Sequence, residues 1–267
     1  MSTALKDRYN KNFIETLAAA LRKVTPPVDT SNLVDDVFTT AFNDYELKDR
    51  MYHITKVLHG ILSSDFSIAC NQIVQLTHIL QDMGVGENFE YMFLPDYVST
   101  YGLDQFEQSM ETLAAITSFT SAEFAVRPFI HKYPTAAIDK MIEWTKHKNA
   151  KIRRLASEGT RPRLPWAMAL PEFKRDPSPA LPILKALKND TDEVVRRSVA
   201  NHLNDICKDN PEIAIQLALD WFGKTNETND LIKHGTRTLL KQGHPTILNL
   251  FGLDAQNLDI EQFKVHT

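Results

Sequence analysis

Two stretches of the chain, MIEWTKHKNAKIRRLASE (141–158) and LKALKNDTDEVVRRSVAN (184–201), carry the same residue character at an offset of forty-three positions. Trp144 falls on Leu187, Ile152 on Val195, Arg153-Arg154 on Arg196-Arg197, and Glu158 on Asn201. That period lies within the roughly 40–47 residues of a HEAT-type repeat. In the second copy Pro182 opens one helix, Asn189-Asp190 makes a polar turn, and Val195, Val199 and Leu203 form the apolar ladder of the next helix. A hairpin of two helices cannot bury such a ladder alone, so neighbouring hairpins must stack. The repeat therefore predicts an all-α fold, a HEAT-like repeat α-solenoid of stacked helical hairpins. A fainter third copy, DLIKHGTRTLL (230–240), places Ile232, Thr236 and Leu240 on the ladder, although Gly235 is a poor helix-interior residue. Upstream, SAEFAVRPFI (121–130) reads as the end of another helix.

The rest of the chain has helical periodicity and no alternating strand pattern: Leu5, Phe13, Leu17 and Leu21 recur near helical spacing, as do Val57, Leu58, Ile61 and Leu62. Breaks at Pro26-Pro27, Ser63-Ser64, Gly84 to Gly86, Gly102, Pro134, Pro165, Pro171 to Pro182, Pro211 and Gly243 to Pro245 divide it into helices. We read one helical-repeat domain over 1–267: amino-terminal helices to 115, repeats over 116–250, and a tail over 251–267.

A chain of 267 residues, 43% hydrophobic, has enough apolar content for a large core. The amino terminus is charged at Lys6, Asp7, Arg8 and Lys11, where a signal peptide needs an apolar run, and no window approaches the ~20 apolar residues of a membrane span. A cytoplasmic location without membrane contact is expected. Cys70 and Cys207 lack CxxC or Cys/His ligand spacing, so both read as buried thiols, with no disulfide, metal site or cofactor.

The net charge of −4 conceals a division. Residues 1–110 hold 8 Lys and Arg against 15 Asp and Glu, whereas 127–202 hold 16 against 8. A polyanion responds to the local field, because distant charges are screened beyond ~8 Å at physiological salt. Equivalent solenoid positions line up on one concave face, so Arg153/Arg154, Arg196/Arg197 and Lys233/His234/Arg237 should form a basic track suited to a phosphate backbone. Consecutive helical residues lie ~100° apart, so one member of each pair faces the groove better; Arg154 and Arg197 are preferred.

The stretches SAEFAVRPFI, IRRLASEGTRPRLPW, VRRSVANHLNDICKDNP and LIKHGTRTLLKQGHP, in that order, resemble the AlkC branch of the AlkC/AlkD superfamily of bacterial DNA alkylation-repair glycosylases. The resemblance covers roughly 1–250 and is specific over about 119–245. A generic HEAT protein shares the Val-Arg ladder but has no reason to carry EGTRPRLPW. The resemblance implies a monofunctional glycosylase, without cofactor, that hydrolyses the N-glycosidic bond of cationic alkylated bases of the 3-methyladenine, 3-methylcytosine and 1-methyladenine type. It also implies a monomer acting on double-stranded DNA without drawing the base into a deep pocket, unlike the usual base-flipping enzymes. Some AlkC-type proteins continue into an immunoglobulin-like domain, which is not expected in these 267 residues.

A cationic base is already a good leaving group. The enzyme has only to stabilise an oxocarbenium-like sugar and direct water onto C1′, the logic of glycoside hydrolysis without the acid. By resemblance Glu123 and Glu158 are the catalytic candidates, Glu123 first, with Arg127, Arg154 and Arg161 as cations near them in sequence. Trp166, after Pro165 and beside Arg161 and Arg163, joins them as an aromatic contact to the lesion, with Phe119 a weaker second wall. Arg127, Arg153, Arg154, Arg161, Arg163, Arg196, Arg197, Lys233, His234 and Arg237, with Asn201 and His202, are the expected DNA contacts. Read alone, Glu123 in TSAE is also the N3 partner of a helix cap, Glu158 a surface ion pair, and Trp166 a core filler. The alternative reading of the whole chain is a non-catalytic HEAT-repeat module that binds nucleic acid or an acidic protein partner.

Overall fold

The computed structural model describes residues 4–86 and 89–253; the tail motif NLDIEQFKVHT lies outside them. Among the described residues there are helices and no strands. The chain divides into two compact units, Met1–Gly159 and Thr160–Thr267, with the boundary inside the EGTRPRLPW string.

The first unit contains α1 (Lys11–Leu21), α2 (Leu33–Val37), α3 (Leu47–Ile61), α4 (Phe66–Asp82), α5 (Phe93–Tyr101), α6 (Phe106–Ile116), α7 (Arg127–Lys132), α8 (Pro134–Trp144) and α9 (Ala150–Gly159). Local chemistry sets the starts of several. Asn10 accepts from the backbone N–H of Phe13, Asp65 accepts from that of Ile68, and Glu46 with Asp49 closes a reciprocal capping box on α3. α1 packs on α2 and α4, α3 on α5, α4 on α6, and α8 on both α7 and α9. Ile14, Leu17, Ile54, Leu58, Ile73, Leu76 and Phe93 fill the amino-terminal core, where Cys70 is a free thiol pushed up to about 11 by burial. The segment SAEFAVRPFI, expected to end a helix, instead turns over residues 123–126 and starts α7 at Arg127. Pro128 suits that first turn, where a backbone N–H has no helical partner to lose.

The second unit contains α10 (Pro171–Arg175), α11 (Leu181–Leu187), α12 (Glu193–Asp209), α13 (Pro211–Trp221), α14 (Asn226–Gly235), α15 (Arg237–Lys241) and α16 (Pro245–Leu250). α12 is its centre and packs against α10, α11, α13, α14 and α15, burying the predicted ladder of Val195, Val199 and Leu203. The prolines read as breaks at 134, 171, 211 and 245 are first residues of helices. The third repeat copy is interrupted: α14 stops at Gly235, Thr236 caps it, and Arg237 begins a separate short helix. Gly235 is there for contact. A Cβ at this position would lie 2.7 Å from Leu203 Cδ2, and the Gly235 carbonyl accepts from Cys207 Sγ at 3.4 Å.

The forty-three-residue period is visible in hydrogen bonds. Arg153 Nη1 donates to the carbonyls of His147 (2.9 Å) and Lys148 (3.1 Å); Arg196 Nη1 donates to those of Asp190 (2.6 Å) and Thr191 (3.1 Å). The N–H of Lys151 reaches Asn149 Oδ1 at 2.9 Å, and that of Val194 reaches Asp192 Oδ1 at 2.8 Å. The N–H of Asn149 meets His147 Nδ1 at 3.0 Å, and that of Asp192 meets Asp190 Oδ1 at 2.9 Å. Each partner is displaced by the repeat length, so α8–α9 and α11–α12 are copies of one helical hairpin.

Candidate functional site

Within the first unit, Arg154 stands between two carboxylates. Its Nη1 donates to Glu123 Oε2 at 2.7 Å and to Ser121 Oγ at 3.1 Å, while Nη2 lies 3.9 Å from Glu158 Oε1. Arg154 and Glu158 are one turn apart on α9, the spacing that lets an i,i+4 pair meet. Glu123 comes from the turn before α7, and Ser121 Oγ also donates to Glu123 Oε2. Glu158 is only 5% exposed, and the Glu123 side chain 17%. Glu123 is therefore no capping residue: helix begins four residues later, and its carboxylate is turned to Ser121 and Arg154.

The two elements meet through a buried contact. Arg127, expected to bind DNA, is 0% exposed, and its Nη1 donates to the Gly159 carbonyl at 2.9 Å. It closes the carboxy terminus of α9, where orphan carbonyls need donors. A fully buried guanidinium cannot reach a phosphate, so Arg127 is a structural residue. A Cβ on Gly159 would lie 2.5 Å from Val126 Cγ2, so the absence of a side chain lets α9 end against the 123–126 turn. Phe119, the expected second aromatic wall, is buried with its ring 4.9 Å from that of Tyr91.

Within the second unit, the stretch after Thr160 is pinned by two carboxylates of α12. Arg161 is buried, with Nε 2.9 Å from Asp205 Oδ2. Arg163 grips Asp209 through both Nε (2.7 Å) and Nη2 (2.5 Å), and that hydrogen bonding holds the Asp209 carboxyl below the usual carboxylate range. Arg161 is thus buried against Asp205, whereas Arg163 remains exposed beside its clamp. The backbone N–H of Leu170 closes the stretch on the Pro162 carbonyl at 3.3 Å, with Leu164 and Leu170 buried beneath. At the outside stands Trp166, 62% exposed, with φ of 65°. A left-handed backbone is uncommon in any residue but glycine and costs about 1–3 kcal/mol, so it persists where the surroundings impose it. Trp166 is no core filler.

The repeat cations separate by position. Arg153 and Arg196 cap the turns of their hairpins, as described above. Arg197 and Lys233 are exposed, and Arg237 Nη2 and His234 Nε2 both meet Asn201 Oδ1, at 3.3 and 3.0 Å. Arg196, Arg197 and His234 line a cleft of about 330 Å³ between α12 and α14 together with Glu193, Glu227 and Asp230; neither catalytic candidate lines it. His234 adds no cation near neutral pH, because burial, reinforced by Arg237 and Arg197, pushes it down to about 4. His202, the other expected hydrogen-bonding neighbour, is 0% exposed in the core of α12 and is not available to a ligand.

Sequence alone does not single out Ser121, Asp205 or Asp209 as partners of these arginines. Asp205 and Asp209 are one helical turn apart on α12, and the arginines they hold are two apart in a turn. That pairing of spacings was the available signal.

A family model described as a DNA alkylation repair enzyme matches residues 95–220. The uncharacterized protein YhaZ of Bacillus subtilis (strain 168) is 39% identical over 251 residues, spanning 94% of this chain and 68% of that one. Among solved structures, Pseudomonas fluorescens alkylpurine DNA glycosylase AlkC, bound to DNA containing an abasic site analog, is similar with a TM-score of 0.88 and 35% identity, over 94% of this chain and 69% of that one. The likeness to AlkC carries the all-α, solenoid class expected from the period. The chain belongs to the DNA alkylation repair enzyme family.

Proposed function

We propose that this protein is a monofunctional DNA glycosylase that hydrolyses the N-glycosidic bond of cationic alkylated bases of the 3-methyladenine, 3-methylcytosine and 1-methyladenine type. It acts as a monomer on double-stranded DNA in the bacterial cytoplasm and needs no metal or cofactor. The observation that carries the reading is the Glu123–Arg154–Glu158 arrangement. A module that only held a polyanion would gain nothing from two carboxylates around its best-placed arginine, because like charges repel phosphate. Two carboxylates suit a reaction whose transition state puts positive charge on the sugar. Glu123, the more exposed, directs water onto C1′, Glu158 supports the developing charge, and Arg154 fixes both. Trp166 presses on the lesion. Arg163, Arg197, Lys233 and Arg237 hold phosphates without reading sequence. The AlkC complex with DNA containing an abasic site analog supports DNA as the partner.

The test is release of methylated base from N-methylpurine DNA and 3-methylcytosine DNA by the wild type, Glu123→Gln and Glu158→Gln. Each substitution should lower release by about 10²–10³, the usual scale for losing one electrostatic contact to the transition state. A wild type that binds DNA but releases no base would return the chain to the class of binding modules. Full activity in both variants would remove the assignment of the site.

A further inference from the structure

Nine large hydrophobic side chains are exposed among the described residues, and two of them, Trp166 and Met168, stand two positions apart on the stretch clamped to α12. Met168 is 49% exposed. The geometry of this stretch points to a built projection. It is closed by Leu170 N–H to the Pro162 carbonyl, seated on buried Leu164 and Leu170, and held at its base by the Arg161–Asp205 and Arg163–Asp209 pairs. The backbone at Trp166 adopts a left-handed conformation in doing so. Residues 162–171, PRLPWAMALP, carry no carboxylate of their own, and their one arginine offsets the Asp209 carboxylate it grips, so the surface around the apolar pair is close to neutral toward a polyanion.

We infer that Met168 is a second DNA-contacting side chain beside Trp166, an apolar wedge that enters the base stack next to the damaged nucleotide. The inference rests on the glycosylase reading and adds a residue to it. The occupant is a base step rather than another protein, because the apolar pair is small, borders Arg163, and stands in the chain that the family assigns to DNA. Inserted apolar side chains, methionine among them, unstack a step and let the duplex bend onto the protein. Methionine suits the task, since its unbranched thioether adapts to an irregular gap. A wedge of this kind favours DNA whose stacking is already weakened, so it contributes to lesion discrimination rather than to general affinity.

The experiment uses the full chain with a duplex carrying a stable abasic analogue, 2-aminopurine as its immediate neighbour, and a matched undamaged duplex. Wild-type binding should raise 2-aminopurine fluorescence. Met168→Ala should lose more than half of that rise and bind the abasic duplex about tenfold more weakly, the scale of one buried apolar side chain, with affinity for undamaged DNA unchanged. Met168→Leu, nearly the same volume, should retain both signals. The side chain is half exposed, so both variants should keep the wild-type melting temperature. The wedge is overturned if Met168→Ala keeps the fluorescence rise, if affinity falls equally for both duplexes, or if Met168→Leu fails like Met168→Ala. Base release by the same preparations separates the two readings. A wild type that releases base while Met168→Ala keeps its fluorescence rise loses only the wedge; a wild type inert on methylated DNA loses the glycosylase.

Discussion

In the hairpin ending with α9, Arg153 ties down the carbonyls of His147 and Lys148; in the hairpin ending with α12, Arg196 ties down those of Asp190 and Thr191 through the same nitrogen. One residue later the copies part. Arg154 turns to Glu123 and Glu158, whereas Arg197 is exposed at a cleft, and the position matching Glu158 is Asn201, which accepts from His234 and Arg237. A step of one residue turns a side chain by ~100° around the helix, so the first arginine is bound by the geometry of the turn and the second is free to specialise. The first copy sets two carboxylates directly against its second arginine, whereas the second copy sets its second arginine at a cleft lined by Glu193, Glu227 and Asp230 as well as by Arg196 and His234. On the proposed function, this contrast lets one repeat supply both chemistry and grip.

The most direct way to break the contrast is to make α9 resemble α12 by Glu158→Asn. Base release should fall by about 10²–10³, with binding to undamaged DNA nearly unchanged, since no phosphate contact is removed. The reciprocal Asn201→Glu should create no activity, because the position forty-three residues after Glu123 is Trp166 rather than a carboxylate, and should weaken DNA binding by adding negative charge beside Arg237. Single-turnover release and filter binding measure the two halves. Retained activity in Glu158→Asn would mean that the copies do not differ in the way described.

The paired arginines provide a smaller and sharper comparison. Arg154→Ala removes the cation shared by two carboxylates, one of them buried, and should cost about 1–3 kcal/mol of stability as well as most of the base release. Arg197→Ala should leave stability within about 0.5 kcal/mol and lower affinity for every sequence alike, with the slope of log K against log salt reduced by about 0.9. Reversal of those two patterns would exchange the assigned roles. Below them, Arg153→Ala and Arg196→Ala should destabilise by nearly equal amounts, about 1–2 kcal/mol in urea unfolding, because each removes the same pair of charge-assisted bonds to turn carbonyls.

What the sequence discloses follows from how local each feature is. The hairpin frame was legible because its capping bonds span two to six residues and recur at a fixed period, as at Asn149 and Asp192. The two glutamates and Trp166 were found by resemblance, and the structure adds their surroundings. What escaped was long-range pairing. Glu123 meets an arginine thirty-one positions away, and Arg161 and Arg163 meet aspartates forty-four and forty-six away. An arginine such as Arg127 reads the same in a string whether it faces phosphate or a buried carbonyl. Proline was equally ambiguous: at Pro134 and Pro211 it starts helices, and a reading that treats it only as a break puts boundaries in the right place for the wrong reason.

The smallest effect concerns His234, which has no counterpart around Arg154. Burial and the nearby Arg237 and Arg197 push its titration from 6.5 down to about 4, and Nε2 is hydrogen-bonded to Asn201 Oδ1. Folding therefore favours the neutral ring. The stability this contributes is fully present above pH 6.5, where the unfolded chain is also neutral. It is lost as pH falls from 6.5 towards 4, where the unfolded state takes up a proton that the folded state resists. Unfolding of the wild type and His234→Gln, compared from pH 8 to pH 4.5, should show a difference that is constant above about pH 7 and shifts against the wild type below about pH 6.5. A difference independent of pH would mean that His234 titrates in the fold as it does in the unfolded chain, and that the α12–α14 cleft carries one more cation than its geometry implies.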